Sequence, residues 1–329
     1  MKIRAGLVGR GMAGTVFHAP LIRAQPGMEL AAIAGTADAA GVIADPAIDL
    51  VVVATPNLTH FPLARAALEA DKHVVVDKPF TVSVAEADAL IALAAARGRM
   101  LTVFHNRRWD GDFLTVRALA ESGRLGEVLL FEANWDRFRP AIKKGWREVP
   151  ADGAGLLADL GPHMIDQALL LFGTPDAVAA DILVQRAEAV VDDYWSLTLH
   201  YGRRRAILSA STLAAAPRPR FALHGTGGSF VKYGLDTQEA ALRGGRGPGD
   251  TGFGQSSDDG MLTVADGSNA KIATARGTYA TFYAGVASAI QDRTPPPVDP
   301  ADAREGLRLI ALARQSAAEG RRLEVPPRA

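Results

Sequence analysis

Three groups of residues in this chain have the types and spacing to do chemistry: a glycine-rich turn, a lysine closing an apolar run, and a histidine flanked by aspartates. Gly9-Arg10-Gly11-Met12-Ala13-Gly14 is a G-x-G-x-x-G sequence directly after the apolar run Ile3–Val8. In such a turn Gly9 permits the tight bend, Gly11 lets the backbone approach a pyrophosphate, and Gly14 lets helix and strand pack closely, with the helix N-terminus facing the anion. Asp77-Lys78-Pro79 follows the valine run His73–Asp77. A lysine at the carboxyl edge of a parallel sheet can exchange a proton or hold a substrate oxygen once burial and neighbours tune it. Asp159-Leu160-Gly161-Pro162-His163-Met164-Ile165-Asp166 is the third group. Pro162 suits a first helical turn, which predicts that His163 opens a helix where the positive dipole end disfavours imidazolium and leaves a neutral base. Asp159 then lies just outside the helix, able to orient the ring, and Asp166 one turn further in. Each group has a plainer reading: a glycine turn that only bends the chain, a solvated lysine, and a His and Asp that cap a helix or fill a core.

The cofactor that such a turn would hold can be narrowed. NAD sites usually offer a carboxylate to the ribose about 20 residues on, at the end of the second strand. Here that strand ends Ile33-Ala34-Gly35-Thr36-Ala37, with no carboxylate before Asp38. Weak repulsion of a 2′-phosphate at Gly35 and Thr36 favours NADP over NAD, and Arg10 can supply the cation, or be a solvated surface arginine.

The elements that must position these groups follow from apolar periodicity. Strands are expected at Ile3–Val8, Glu29–Ala34, Leu50–Ala54, His73–Asp77 and Met100–Phe104, alternating with helices at Gly14–Ala24, Pro62–Ala70 and Val84–Arg97, the signature of βαβ units and a parallel sheet. Ser83 and Glu86 make a capping box for the last helix. The valine runs lack polar alternation, as strands covered on both faces do. Beyond about residue 123, Val128–Trp135, Ala177–Gln185, Tyr194–Tyr201, Arg204–Ser211 and Phe221–His224 are short, turn-bounded and partly alternating, which favours an antiparallel sheet. Helices are expected from Gly161-Pro162 to Gly173, at Tyr279–Ala289 and at about Ala301–Glu319, with Arg243–Asp259 a long loop.

Composition excludes several classes. The 329 residues suffice for two domains, and Lys plus Arg and Asp plus Glu are 36 each, so no polybasic clamp for nucleic acid or lipid exists. The single Arg243-Gly244-Gly245-Arg246-Gly247 run reads as a surface loop. Cysteine is absent, which removes disulfides, thiolate metal sites and thiol nucleophiles. A two-histidine metal site finds no second spaced histidine near His163. The N-terminus lacks a signal-peptide pattern and no apolar run approaches a bilayer span, so the cytoplasm is the expected location.

Taken together, Gly9–Gly14, Ala54-Thr55-Pro56-Asn57 at a strand end, Asp77-Lys78-Pro79 and the D-x-G-x-H pattern of Asp159 and His163 resemble the Gfo/Idh/MocA oxidoreductases over nearly the whole chain. Phe17-His18-Ala19-Pro20, Phe104-His105-Asn106-Arg107-Arg108-Trp109 and Val231-Lys232-Tyr233-Gly234 resemble the subgroup that includes an NADP-dependent scyllo-inositol dehydrogenase. The resemblance implies an α/β fold with an N-terminal Rossmann domain (residues 1–105) and a C-terminal α+β domain (residues 106–329) whose open sheet is mainly antiparallel. It implies an NAD(P)-dependent oxidoreductase acting on a polyol, cyclitol or sugar-like alcohol or ketone. Lys78, Asp159 and His163 fall on the family's catalytic positions. Thr55, Pro56, Asn57, His60 and Lys78 itself would lie by the cofactor, and Asn106 and Arg107, with His163, by the substrate. Arg107, Arg108, Arg137 and Arg139 suit structural ion pairs as well, and Trp109, Trp135 and Trp146 suit a core as well as a sugar. Relatives commonly pair through the outer sheet face, which implies a homodimer or homotetramer. Within the family an NAD-retaining glycosidase is the rival reading, and a dinucleotide-sensing regulator the rival from outside enzymes.

One departure stands out. Only residues 35–48 separate the second strand from the next valine strand, fewer than a helix, an edge strand and a second helix require. Either an edge strand is missing or the sequence skips residues, and the adenosine end of the cofactor pocket is affected.

Overall fold

The computed structural model describes residues 2–142, 148–216 and 218–327. In chain order the elements are β1 (Ile3–Val8), a π-helical segment Ala13–His18 running into α1 (Ala19–Arg23), β2 (Met28–Ala34), α2 (Ala39–Ala44), β3 (Leu50–Val53), α3 (His60–Glu69), β4 (His73–Val76), α4 (Val84–Arg97), β5 (Leu101–Val103) and α5 (Gly111–Glu121). There follow β6 (Val128–Asp136), α6 (Leu156–Phe172), β7 (Ala177–Leu183), β8 (Tyr194–Tyr201), β9 (Arg204–Ser211), β10 (Phe221–Gly225), β11 (Gly228–Lys232), α7 (Gln238–Arg243), β12 (Gly260–Val264), β13 (Asn269–Ile272), α8 (Ala280–Gln291), α9 (Pro300–Glu319) and β14 (Leu323–Glu324). Two compact units result, and the chain passes between them repeatedly. Unit 1 comprises Met1–Asp110, Thr237–Gln255 and Gly277–Leu307; unit 2 comprises Gly111–Asp236, Ser256–Arg276 and Arg308–Ala329.

Unit 1 is built on a five-stranded parallel sheet in the order β2-β1-β3-β4-β5. Leu50–Val53 and Val74–Val76 are wholly buried, as strands sheltered on both faces must be. One face packs on a cluster that includes Leu21, Ile22, Val52, Phe104, Phe282, Tyr283 and Val286; the other packs on α2, α3 and α4 through Val42, Ala64, Leu68 and Leu90. Helix α4 starts at Ser83, whose hydroxyl accepts from the Glu86 backbone N–H at 3.2 Å, while the Glu86 carboxylate accepts from Val82 N–H at 3.3 Å, one residue from the ideal capping-box register. Residues 35–48 hold a 3₁₀ turn (Thr36–Asp38) and α2 only, and the chain then enters β3 on the far side of β1. Among the described residues no strand pairs outside β2, which ends the sheet.

Unit 2 carries a nine-stranded sheet in the order β13-β12-β11-β10-β6-β9-β8-β7-β14. β6 and β9 run parallel and the other pairs antiparallel. Along β8, Trp195, Leu197 and Leu199 point into the core with Phe131, Leu160, Met164, Ile165 and Leu208, while the alternate residues Ser196, Thr198 and His200 remain half-buried on the other face.

Three expectations change. Tyr279–Ala289 was expected beyond the residue 105/106 boundary, yet α8 belongs to unit 1: Phe282, Tyr283 and Val286 are its core residues. An amphipathic helix shows which face it buries, not which sheet it buries it against. Strands β11 to β13 were not expected, because Gly228, Gly260 and polar residues interrupt their alternation; at Gly260 a Cβ would lie 2.1 Å from the Phe230 ring, so glycine there serves packing across the ladder. Third, α6 begins at Leu156 rather than at Gly161-Pro162. Among the described residues no helix is long and apolar enough to cross a membrane.

Candidate active site

The three chemical groups of the sequence lie on the carboxyl edge of the unit 1 sheet and on α6 of unit 2. At the end of β1 the glycines divide by task. Gly9 has φ 137° and a Cβ there would lie 2.1 Å from the Ala54 carbonyl oxygen; a Cβ on Gly14 would lie 2.0 Å from the Gly9 oxygen. Both are demanded by the fold. A Cβ on Gly11 would meet nothing within 4 Å, so that glycine leaves open a space the fold does not need, as a turn that admits a phosphate group does. Met12 is 40% exposed beside it, and the segment Ala13–His18 begins there. The residues present fit a dinucleotide.

Because β3 lies between β1 and β4, the turn after β3 stands between the glycine loop and Lys78 along the sheet edge. Thr55 accepts a hydrogen bond from the Thr59 hydroxyl at 2.7 Å, and Asn57 is buried at the start of a 3₁₀ turn. His60 is 1% exposed, with Nδ1 2.8 Å from the Pro79 oxygen and Nε2 2.9 Å from the Thr55 oxygen. Its ring thus fastens the β3 turn to the β4 turn. Lys78, joined to Pro79 by a cis peptide bond, is half-buried. Asp77 before it faces His18, whose Nε2 is 3.7 Å away. Burial alone would push the Asp77 carboxyl up, but His18, Lys78 and His60 outweigh it and hold the group below the ordinary aspartate value.

The adenosine end is short but charged. Arg10 and Asp38 approach to 3.7 Å, both well exposed, and the Asp38 carboxylate lies 3.8 Å from where a Gly35 Cβ would be. Asp38 is therefore turned back toward the end of β2 and Thr36, where the sequence spacing offered no acid.

In unit 2, Asp159 is in the first turn of α6 and His163 about two turns in, with Pro162 inside the helix. The dipole argument for a neutral His163 is thereby withdrawn, since that field fades within the first turn. The helix start was hidden because its cap is not local: Leu157 N–H donates to Asp192 at 2.7 Å and Leu156 N–H to the Asp192 carbonyl at 2.8 Å. Pro162 is tolerated in the second turn, where it forgoes one backbone hydrogen bond. His163 is 6% exposed and its ring lies 6.2 Å from Trp135, tilted by 32°. The Arg220 guanidinium lies over the Trp135 ring at 4.6 Å from its centroid. Asp159 pairs with Arg137 at 3.6 Å. Arg137, Arg139, Glu148, Asp159, Arg186 and Asp193 line a recess at this end of the helix. Trp146 lies outside the described residues.

Arg107, expected at the substrate, is accounted for differently. It is 6% exposed; its guanidinium donates to Tyr279 Oη at 2.7 Å, pairs with Asp110 at 3.4 Å and is bonded to Glu239. The turn before α5 is thus tied to α7 and to the start of α8, a structural task. Asn106 is buried beside it. Arg108 likewise pairs with Asp302 at 3.2 Å.

Comparison with known proteins agrees with this geometry. Residues 3–105 match the Gfo/Idh/MocA description "Oxidoreductase family, NAD-binding Rossmann fold", and residues 117–325 match "Oxidoreductase family, C-terminal alpha/beta domain". The chain is 45% identical to the oxidoreductase YdgJ of Escherichia coli K12, over 96% of both chains. It is 38% identical to scyllo-inositol 2-dehydrogenase (NADP(+)) IolW of Bacillus subtilis 168, over 97% of this chain and 95% of that one. Among solved structures, Bacillus subtilis yvaA superposes with a TM-score of 0.96 at 36% identity, covering 99% of each chain, and Yersinia pestis YPO2259 with 0.94 at 41%, covering 100% and 98%.

Proposed function

The chain belongs to the Gfo/Idh/MocA oxidoreductase family, and from that premise we propose that it is an NADP-preferring dehydrogenase of a cyclitol or related polyol, working in the cytoplasm. The observation that carries the reading is the order of groups along one sheet edge: the glycine loop after β1, Thr55-Pro56-Asn57 after β3, and Lys78 after β4. A dinucleotide would be held here by the Gly11 backbone at one place on the edge and by the Thr55-Pro56-Asn57 turn and Lys78 further along it, where open α/β sheets bind ligands. Bound there, the nicotinamide supplies hydride acceptance and donation. Lys78 holds the substrate oxygen. His163 takes the hydroxyl proton, and Asp159 stabilises the ring once it is charged; the reverse reduction uses the same groups. The recess at Asp159 suits a polyhydroxylated ring, since guanidinium and carboxylate groups side by side offer donors and acceptors to neighbouring hydroxyls. Similarity to IolW over nearly the full chain supports the cyclitol class.

NADP preference rests on Arg10. Its guanidinium neutralises Asp38, so a 2′-phosphate meets a cation rather than a bare carboxylate. Calorimetric titration should show NADP binding tighter than NAD, and Arg10→Ala should erase or reverse the order; equal affinities in the parent chain would sink the assignment. A screen of inositols, other polyols and sugars with both cofactors, followed by nicotinamide absorbance, tests the substrate class. Stoichiometric absorbance change is expected with a cyclitol, and glycoside cleavage without net change would replace the dehydrogenase by the glycosidase reading.

The half-buried outer face of the unit 2 sheet, with Glu132, Asn134, Ser196 and Thr198, supports self-association through that face into a dimer or dimer of dimers. Light scattering at micromolar concentration should report a dimer or tetramer, and a monomer throughout would remove the proposal.

A further inference from the structure

His18 belongs to the Phe17-His18-Ala19-Pro20 sequence, which the functional reading leaves without a task. It ends the π-helical segment that starts at the glycine loop and is fully buried. Its Nδ1 is 2.7 Å from the hydroxyl of Tyr283 on α8, itself fully buried. Phe104, just past β5, packs on the ring with centroids 4.2 Å apart. Nε2 has no hydrogen-bond partner at normal distance, and the Asp77 carboxylate lies 3.7 Å from it. Gathering an imidazole, a phenol and a carboxylate inside an apolar cluster costs free energy that Leu or Phe at the same positions would not.

Proton placement follows from the contacts. The Tyr283 hydroxyl can donate to Nδ1, which leaves the ring hydrogen on Nε2, directed at Asp77. The opposite tautomer would set the Nε2 lone pair against a carboxylate. Asp77 is therefore faced by His18 from the π-helical segment, Tyr283 from α8, His60 from α3 and its own neighbour Lys78. We propose that His18 is a positioning residue for Lys78: backed by Tyr283, it directs Nε2–H at Asp77 and fixes that carboxylate beside the lysine as its permanent counter-ion. This rests on the reading of Lys78 as the residue that holds the substrate oxygen. A lysine leaving a turn has four rotatable bonds, and a fixed anion at its base restricts where its charge can settle. The glycine loop, the lysine and α8 are linked through this one ring.

The direct test follows Asp77 in the intact protein by carboxyl ¹³C NMR of aspartate-labelled material, with its resonance assigned by loss in Asp77→Asn. In the parent protein Asp77 should remain ionised from pH 5 to 8. In His18→Leu the opposing effect of burial is no longer countered by the ring, and the midpoint should rise by about one unit or more. His18→Gln, which retains an N–H donor near the Nε2 position, should restore the parent titration, and Tyr283→Phe should give a smaller rise. An unchanged Asp77 titration in folded His18→Leu overturns the proposal; should that variant not fold, the same null in Tyr283→Phe does so. Turnover provides the second measurement, with scyllo-inositol or the best alcohol of the screen. The ratio of His18→Leu to parent kcat should fall as pH is lowered from about 7 toward about 4.5, through the raised Asp77 midpoint, whereas a purely structural role keeps that ratio constant. If Asp77 shifts but turnover does not, Lys78→Ala separates the cases: an inactive Lys78→Ala overturns the positioning role, while an active one overturns the assignment of Lys78 itself and leaves the His18–Asp77 coupling standing.

Discussion

Replacing His163 or Lys78 by alanine should lower kcat by about 10²–10⁴-fold while NADP affinity stays close to that of the parent protein. A positioned acid–base group acts on the transition state, so its loss falls on the chemical step, and an interaction absent from cofactor binding leaves that equilibrium alone. Lys78 leaves the sheet after β4, two strands from β1 in the order β2-β1-β3-β4-β5, so its removal does not disturb the glycine loop. His163 stands on α6, in the other unit. The measurement is paired: steady-state kinetics with the alcohol found in the screen, and calorimetric NADP titration of the same preparations. Turnover near that of the parent would remove the residue concerned from the mechanism. Lost NADP binding in a folded variant would instead show a cofactor contact. Asp159→Asn should fall less steeply than His163→Ala, since a group that stabilises the charged ring assists without itself exchanging the proton.

How far the sequence disclosed this site depends on whether each cause is local. The glycine loop, the capping box at Ser83 and Glu86, and the buried valine strands rest on residues a few positions apart, and the structure repeats them nearly residue for residue. Where the cause is remote, the reading failed in a definite way. Asp192 caps α6 from 35 positions away, so the local proline signal at Pro162 drew the helix start forward and gave His163 a dipole it does not feel. Arg107 stood near the substrate by resemblance with an ion-pair role left open beside it, and the partners that favour the latter, Glu239 and Tyr279, lie 132 and 172 positions on. His18 showed only as part of a four-residue pattern, because Tyr283 and Asp77 meet it through tertiary packing. The short stretch 35–48 was legible by counting alone: its length cannot hold an edge strand, and β2 is the edge.

The largest loss of stability should come from Arg107→Leu. The substitution takes the guanidinium away from Asp110, 2% exposed, and from Glu239, with its side chain 29% exposed, which keeps Arg243 at 2.8 Å. Breaking a buried pair in this way typically costs about 3–5 kcal/mol, which at roughly 2–4 °C per kcal/mol for a unit of this size predicts a Tm lower by about 6–20 °C. Burial alone would raise the Glu239 carboxyl, but Arg107 and Arg243 overcome it and hold the group below the ordinary glutamate value. A carboxyl depressed in the folded state contributes stability above its unfolded pKa, and that contribution disappears as pH falls through the folded value. With Arg107 gone, Arg243 alone opposes burial and the same carboxyl becomes easier to protonate, so acidification relieves the variant while it weakens the parent. The Tm gap between them should therefore be widest near pH 7 and should narrow toward pH 4.5, as scanning calorimetry across that range would show. Arg107→Lys restores one positive charge without the planar fork that reaches Tyr279, Asp110 and Glu239 together, and should recover part of the loss. If Arg107 instead held the substrate, Arg107→Lys would raise KM and leave Tm and its pH dependence where they were.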